Sequence, residues 1–229
     1  MRGLLGTIMF GLLVVAAVAW ASPILWSVST SFKPNSMSIE YPIRWIPKPL
    51  TLENYITVLT TNRSVKISLA LVNSVYVAIV TVALVVITSA LAAYAFARLK
   101  FRGRETLFWI SISTMFIPPQ IILVPRFLLV FRMGLLDNHL ALILPSAASA
   151  FGVFYLRQFF LSIPHELEDA ARIDGCNRFD VFWRIVVPLS KPGVATLALF
   201  TFLASWNDFM WPLIVLNSQE KMTVPVALA

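Results

Sequence analysis

Charge is scarce in this sequence. Only 13 % of its 229 residues are Asp, Glu, Lys or Arg, and 59 % are hydrophobic, whereas soluble domains carry about 25 % charged residues. The single cysteine, Cys176, excludes an internal disulfide. His139 and His165 are far apart, and no Cys or acidic cluster has the spacing of a metal site. We therefore predict that the chain holds no metal and no cofactor.

A nucleotide-binding motif is also missing. None of the eight glycines begins the pattern Gly-x-x-x-x-Gly-Lys-Ser/Thr that cradles phosphates, and no nucleophile–base pair is evident. The chain is therefore not predicted to be an enzyme, and any ATPase that drives it must be another polypeptide. Its net charge of +7 is spread over the loops, which disfavours nucleic acid as a partner.

Long apolar runs dominate what remains. A helix that crosses a membrane needs about 20 mainly apolar residues. The sequence predicts an all-α membrane protein, a polytopic helical bundle surrounded by lipid, with five candidate spans at about 4–28, 67–97, 107–124, 140–160 and 193–216. The first run exceeds the 7–15 apolar residues typical of a signal peptide, so residues 1–32 are predicted to be a retained first transmembrane helix. The pair Pro118-Pro119 must break or kink the third run.

Cations between the runs indicate the topology. Arg98, Lys100, Arg102 and Arg104 follow the second run within seven residues, which places the loop 98–105 in the cytoplasm. The proline-rich segment 33–64 is then extracytoplasmic, 161–192 is cytoplasmic, and 217–229 is outside. Residues 65–229 form the main transmembrane domain.

A polar island interrupts the apolar pattern at 166–188. Helix-forming residues from Glu166 to Ile173 come first, Gly175 follows as a break, and a second amphipathic stretch ends at Pro188. Because charges at the bilayer centre cost at least about 2.5–3.5 kcal/mol, the island must lie outside the hydrocarbon. It predicts a cytoplasmic helix–turn–helix that is presented to another protein.

The island resembles the EAA loop of the integral membrane subunits of binding-protein-dependent ATP-binding-cassette (ABC) importers. Asp169-Ala170-Ala171, Gly175 and Ile185-Val186-Val187-Pro188 match that family's pattern at its spacing. Asp169 stands where the family has Glu, and Val187 stands for Leu, so both departures keep the chemistry. Flanking residues, among them Ile163-Pro164 and Phe182-Trp183-Arg184, are similar to the maltose-type, sugar-transporting branch.

The resemblance implies a fold, a function and partners. The fold is the type I ABC importer transmembrane domain, in the plasma (inner) membrane of a prokaryote. The function is that of a permease subunit, which forms half of the path for a carbohydrate. The partners are a second permease subunit, a cytoplasmic ABC ATPase dimer and an extracellular or periplasmic solute-binding protein. The residues implied in coupling to the ATPase are Glu168, Asp169, Ala170, Ala171, Arg172, Asp174, Gly175, Ile185 and Pro188.

A second motif points to the substrate. Trp206-Asn207-Asp208 resembles the fifth-helix signature of sugar permeases, and Asp208 is the lone acid of its run. An aromatic ring with amide and carboxylate neighbours suits a sugar path, although packing against a polar partner in the bundle would explain Asp208 equally. Asn73, Ser74 and Gln120 are weaker candidates, because interhelical hydrogen bonding accounts for them as well.

Alternatives remain open on the sequence. The same importer class carrying another solute is one, although no strongly cationic residue lies inside the runs to favour an anion. An ATP-independent secondary transporter is another, but it has no use for the pattern from Asp169 to Pro188. The family usually has six spans, so we expect a sixth beyond Ala229. Neither the sugar nor the ATPase partner follows from the sequence.

Overall fold

The computed structural model describes residues 2–37, 41, 44–58 and 67–229. They form two compact units, Met1–Lys66 and Ile67–Ala229. All regular structure in these ranges is helical, as the apolar runs predict.

The first unit is built on one long helix, α1 (Arg2–Ser31), whose apolar side chains are exposed from Gly6 onward. A short helix, α2 (Glu53–Ile56), follows the proline-rich segment. That segment packs on the end of α1, because the Asn54 amide donates to the carbonyls of Ser31 and Lys33. Of the predicted extracytoplasmic segment, residues 38–40, 42–43 and 59–64 lie outside the described residues.

The second unit is organised around α3 (Ile67–Arg98), a helix of 32 residues. α3 packs along α7 and α11. The remaining helices of this unit are α4 (Arg104–Ser113), α5 (Leu123–Arg132), α6 (Leu140–Ile143), α7 (Ala150–Leu161), α8 (His165–Ile173), α9 (Arg178–Val181), α10 (Val187–Leu189), α11 (Lys191–Trp206), α12 (Met210–Val215) and α13 (Val224–Ala227).

Small residues let the three main helices approach closely. A Cβ added to Gly152 of α7 would lie only 2.4 Å from the Ser89 hydroxyl of α3, and one added to Gly193 of α11 would meet the Phe159 ring at 2.7 Å. Interfaces rich in small residues are typical of helices packed in membranes, where close backbone approach replaces the hydrophobic driving force. The relative register of α3, α7 and α11 is therefore tightly determined.

The helices match the predicted spans unevenly. Gly6–Ser31 and Ile67–Arg98 are each long and apolar enough to cross a membrane, and two bent helix pairs, Leu140–Ser146 with Ala150–Leu161 and Arg178–Leu189 with Lys191–Trp206, could each add one span. The third run forms no helix of spanning length: α4 ends at Ser113 and a 3₁₀ turn at Phe116, just before Pro118-Pro119. The fifth run is divided between two helices, because α11 ends at Trp206 and α12 begins at Met210.

The two ends of α3 contact different parts of the chain. At its C-terminal end Arg98 contacts Phe160, Ile163, His165 and Glu168, so the loops predicted to be cytoplasmic lie together. At its N-terminal end Asn73 and Ser74 bond the backbone of residues 220–224. A 32-residue helix is about 48 Å long, which separates these two groups of loops by more than a bilayer core. That the loops at the C-terminal end of α3 are the cytoplasmic ones stays a prediction.

Candidate functional site

The predicted partner-facing helix is present as α8 (His165–Ile173), one residue longer at its start than the sequence indicates. Its charges follow the helix dipole, with Glu166 and Glu168 in the first turn and Arg172 in the last. Acidic residues near a helix N-terminus and basic residues near its C-terminus are each worth about 0.3–1 kcal/mol at the surface. Local sequence thus favours a helix here before any tertiary contact forms.

The end of α8 is a Schellman motif. The N–H of Gly175 donates to the Arg172 carbonyl at 3.1 Å, and the N–H of Cys176 donates to the Ala171 carbonyl at 2.9 Å. This turn requires a left-handed residue, and Gly175 has φ +87°. A Cβ there would meet no heavy atom within 4 Å. Glycine is therefore needed here for its backbone dihedral rather than for lack of space.

The second half of the island anchors it to the helical core. Asn177 caps α9 through a reciprocal capping box with Asp180, and the chain then runs through a π-helical turn, Phe182–Val186, into α10. Val181, Phe182 and Val186 are buried in the core cluster. Of the predicted anchoring and coupling residues here, Ile185 is half-buried against this cluster, while Trp183 and Pro188 are exposed.

No part of the chain that the structure describes covers one face of α8. We call it the α8 outer face and define it by Asp169, Ala170, Ile173 and Asp174, all of which are exposed. Ile173 is 87 % exposed, an unusual position for a large apolar side chain just before a helix stop. Ile173 was not among the predicted coupling residues, although its spacing of four from Asp169 places both side chains on the same face of the helix.

The opposite face of α8 is turned inward, which corrects the expectation for two residues. Glu168 is only 2 % exposed, and its carboxylate pairs with the Arg98 guanidinium. Ala171 is buried in the core cluster. Glu168 therefore contacts its own chain rather than a partner. Arg172 is exposed and lies 3.6 Å from the Asp169 carboxylate, a surface pair of little energetic weight.

A cavity of about 410 Å³ lies between α3, α7, α11 and α12. Its volume falls in the range of ligand pockets, about 300–1,000 Å³. Apolar walls from Val77, Phe151 and Phe200 alternate with hydroxyl-bearing residues, and Asp208 supplies the carboxylate; the hydroxyls belong to Thr81, Ser146, Ser149, Thr201, Ser205 and Thr223. The Oγ1 atoms of Thr81 and Thr223 are buried and have no hydrogen-bond partner among the described residues.

The three residues of the predicted substrate motif, Trp206-Asn207-Asp208, have different surroundings in the structure. Of its three residues only Asp208 lines the cavity. The Trp206 ring stacks on Phe202 at 5.7 Å, and the Asn207 side-chain amide donates to the Leu203 carbonyl at 2.8 Å. Because α11 ends at Trp206, the chain turns between Asn207 and Asp208, and the three side chains share no common face.

Two cavities meet at Asp208. The second, of about 220 Å³, is lined by Gln120, Arg126 and Trp211 among others. The Arg126 guanidinium stacks on the Trp211 ring at 4.1 Å and donates to the Ser146 hydroxyl at 3.1 Å. Arg126 was not among the residues predicted from the sequence, since no residue of α5 was proposed there as a site residue. Its strongly amphipathic pattern was the available signal that one face of α5 is packed inward.

Asn73 and Ser74, the weaker path candidates, have structural partners. The Asn73 amide donates to the carbonyls of Glu220 and Met222 at 2.8 and 3.0 Å, and the Ser74 hydroxyl accepts from the Val224 N–H at 2.8 Å. They hold the segment after α12 rather than another long helix. Gln120 does line the smaller cavity next to Asp208.

Comparison with known proteins identifies the architecture. Residues 86–229 match the model of the family described as binding-protein-dependent transport system inner membrane component. A solved bacterial ABC transporter involved in the import of the acidic polysaccharide alginate superimposes with a TM-score of 0.89 at 28 % identity, covering 98 % of this chain and 79 % of that one.

Two curated relatives extend the comparison. A permease protein of the arabinooligosaccharide transport system of Halalkalibacterium halodurans is 37 % identical over 209 residues, which are 90 % of this chain and 74 % of the relative. A permease protein of the diacetylchitobiose uptake system of Streptomyces coelicolor is 32 % identical, over 95 % of this chain and 72 % of its own length.

Proposed function

This chain belongs to the family of binding-protein-dependent transport system inner membrane components, and on that premise we propose that it works in a complex with an ATPase that docks on α8. The chain is a permease subunit of a carbohydrate ABC importer, and its relatives carry saccharides of several kinds. The complex we propose contains a second permease, a cytoplasmic ATPase dimer and a solute-binding protein outside the membrane.

The α8 outer face is the observation that carries the docking proposal. It combines a fully exposed Ile173 with the acidic Asp169 and Asp174 on a helix whose other face is locked into the chain. A buried apolar anchor surrounded by polar contacts is the usual composition of an interface hot spot. A cleft on the ATPase that accepts Ile173 and offers cations to the two carboxylates would fit this face.

A rigid connection between α8 and the rest of the chain would couple the ATPase to the membrane path. The Schellman motif and the capping box of α9 fix both ends of the turn between α8 and α9, and the buried side chains of the π-helical turn fix its base. When nucleotide closes the ATPase dimer, α8 moves with it as a body. This is a two-state coupling between the nucleotide site and the membrane path, in which each site shifts the equilibrium of the other.

The cavity at Asp208 is proposed as part of the carbohydrate path. Hydroxyls and one carboxylate set between aromatic and aliphatic walls suit a saccharide, whose ring faces are apolar and whose edges are polar. The unpaired hydroxyls of Thr81 and Thr223 favour an occupant that forms hydrogen bonds, because buried polar groups are ordinarily paired. Asp208 is the only residue of the predicted motif that we retain for this role.

The docking proposal is tested by co-purification. Tagged chain is expressed with its second permease and with the ATPase encoded beside them, and the ATPase retained on the tag is measured. We expect Ile173→Asp and Asp169→Lys each to reduce ATPase retention at least tenfold, while Ile173→Val retains it. Glu220→Lys, a charge reversal on an exposed residue at the other end of α3, is the matched control. Undiminished retention by both outer-face variants would refute docking at α8.

A further inference from the structure

The last residue of α3 contacts three successive parts of the chain with one buried guanidinium. Arg98 Nε lies 2.9 Å from the Glu168 carboxylate in α8, and Nη1 lies 2.8 Å from the His165 ring nitrogens. Its Nη2 donates to the Phe160 carbonyl at the end of α7 and to the Ile163 carbonyl at 2.5 Å. The two charged side chains are 1 % and 2 % exposed.

This arginine differs from the cations that follow it. Lys100 and Arg102 are exposed to solvent, as expected of residues that set topology from a loop. Arg98 is turned away from solvent, and its contacts use the planar fork that only arginine provides. Topology alone requires no such burial, so Arg98 has a role that its neighbours do not share.

Burying an ion pair is a poor way to gain stability. The cost of removing two charges from water offsets most of their attraction, and apolar replacements are often as stable. What a buried ion pair does provide is a defined geometry, here reinforced by the hydrogen bonds from Arg98 Nη2 to two backbone carbonyls. The Arg98–Glu168 pair is positioned to hold α8 at one angle and register against the end of α3.

The helix α3, against which the Arg98–Glu168 pair holds α8, also lines the proposed path. Val77, Thr81 and Val85 of α3 form part of the larger cavity, and Thr81 lies 17 residues before Arg98, about 26 Å along the helix. A displacement of α8 is thus transmitted directly to a helix that shapes the cavity. The loop between α8 and α11 offers a second route through side-chain packing, but no second buried charge pair joins α8 to a long helix within the described residues.

We propose that Arg98 and Glu168 form the mechanical joint between the ATPase-docking helix and α3, and so are positioning residues for the coupling of ATP hydrolysis to carbohydrate uptake. The inference rests on the proposed docking of α8. It predicts that weakening the joint separates the two activities, so that the ATPase still binds and turns over while α3 no longer follows it.

The test uses the complete importer in proteoliposomes, with the binding protein and its sugar, and measures sugar transported per ATP hydrolysed. We expect Glu168→Gln to leave the ATPase bound and active but to reduce sugar transported per ATP at least about fivefold. Arg98→Lys, which keeps the charge but loses the fork, should give an intermediate loss. Glu105→Gln, which removes the ion pairs of a solvent-exposed carboxylate with Arg104 and Arg157, is the matched control and should change the ratio by less than twofold.

A purely structural role would give a different result. It would lower uptake and ATP hydrolysis in proportion to the amount of assembled complex, leaving sugar per ATP unchanged. An unchanged ratio in both Glu168→Gln and Arg98→Lys would overturn the inference, as would failure of both variants to assemble, since the pair would then serve folding alone. If wild-type chain retains no ATPase, the docking proposal itself fails, which co-purification reveals separately.

Discussion

Ser74 and Val224 are 150 positions apart and share a hydrogen bond of 2.8 Å, from the Val224 N–H to the Ser74 hydroxyl. Ser74 is buried within α3, and the neighbouring Asn73 holds the carbonyls of Glu220 and Met222. Two polar residues of an apolar helix therefore satisfy the backbone of an irregular segment. Non-helical backbone at the edge of a membrane domain persists only where such partners exist.

Removing this partner should loosen the segment locally. Ser74→Ala leaves the Val224 N–H without its acceptor, at a cost of about 1–3 kcal/mol. We expect amide exchange in residues 220–226 to become at least tenfold faster, as measured by mass spectrometry in detergent. Ser113→Ala, which removes an exposed hydroxyl bonded within its own helix, should leave exchange there unchanged. Equal protection in Ser74→Ala and wild type would contradict the assigned bond.

The structure also ranks substitutions at Gly175 by backbone conformation rather than by size. Alanine at φ +87° costs about 1–2 kcal/mol, whereas asparagine tolerates the left-handed region better. We expect Gly175→Ala to lower sugar uptake more than Gly175→Asn, although asparagine is the larger residue. Gly11→Ala, inside α1 and with open space around it, is the control and should be neutral. A loss that increases with side-chain size would instead indicate direct contact of Gly175 with a partner.

The cavity predicts which residue of the Trp206-Asn207-Asp208 motif governs uptake. Asp208→Asn keeps the shape and removes the charge, and we expect at least a tenfold loss of sugar uptake, about 1.4 kcal/mol, with ATPase retention unchanged. Asn207→Ala removes only a bond to the Leu203 carbonyl within its own helix and should retain uptake within twofold. The measurement is initial uptake of labelled sugar, and a greater loss in Asn207→Ala than in Asp208→Asn would exclude Asp208 from the path.

The hydrogen bonds of Asp137 predict how the stability of the protein depends on pH. Hydrogen bonds from the Ser218 hydroxyl and N–H, with further donors at Asn217 and Lys221, hold the pKa of Asp137 well below the ordinary value of aspartate. A depressed pKa contributes stability that is fully present above the unfolded-state pKa, about 3.9, and is lost as the pH falls below that value toward the lower folded-state pKa.

The difference in unfolding temperature between wild type and Asp137→Asn should therefore stay constant from pH 7 to about pH 5 and shrink as the pH falls from about 4 to about 2.5. Comparing the two proteins at each pH cancels the titration of all other groups. Thermal unfolding in detergent, followed by circular dichroism, measures this difference. A difference that stays constant down to about pH 2.5 would contradict the prediction, because a carboxyl group with the same pKa in the folded and unfolded states contributes no pH dependence to stability.

Local signals in the sequence predicted some of the helices and some of their breaks. Apolar runs of spanning length predicted α1 and α3, the proline pair predicted the break after Phe116, and Gly175 predicted the break after a helix that was placed within one residue of α8. Each of these features depends on dihedral preferences or hydrophobicity over a few neighbouring residues. Such preferences act before distant parts of the chain meet.

Tertiary structure alone decided which polar residues are free to bind a partner. Glu168 and Asp169 are adjacent and both acidic, yet one is paired with Arg98 inside the chain and the other is 67 % exposed at its side chain. Asp208 likewise reaches the cavity while Asn207 does not. These outcomes depend on how α3, α7 and α11 align through contacts such as that of Gly152 with Ser89. A register set by the close packing of helices 60 residues apart leaves no mark in the local sequence pattern, because it is the sum of many small contacts across them.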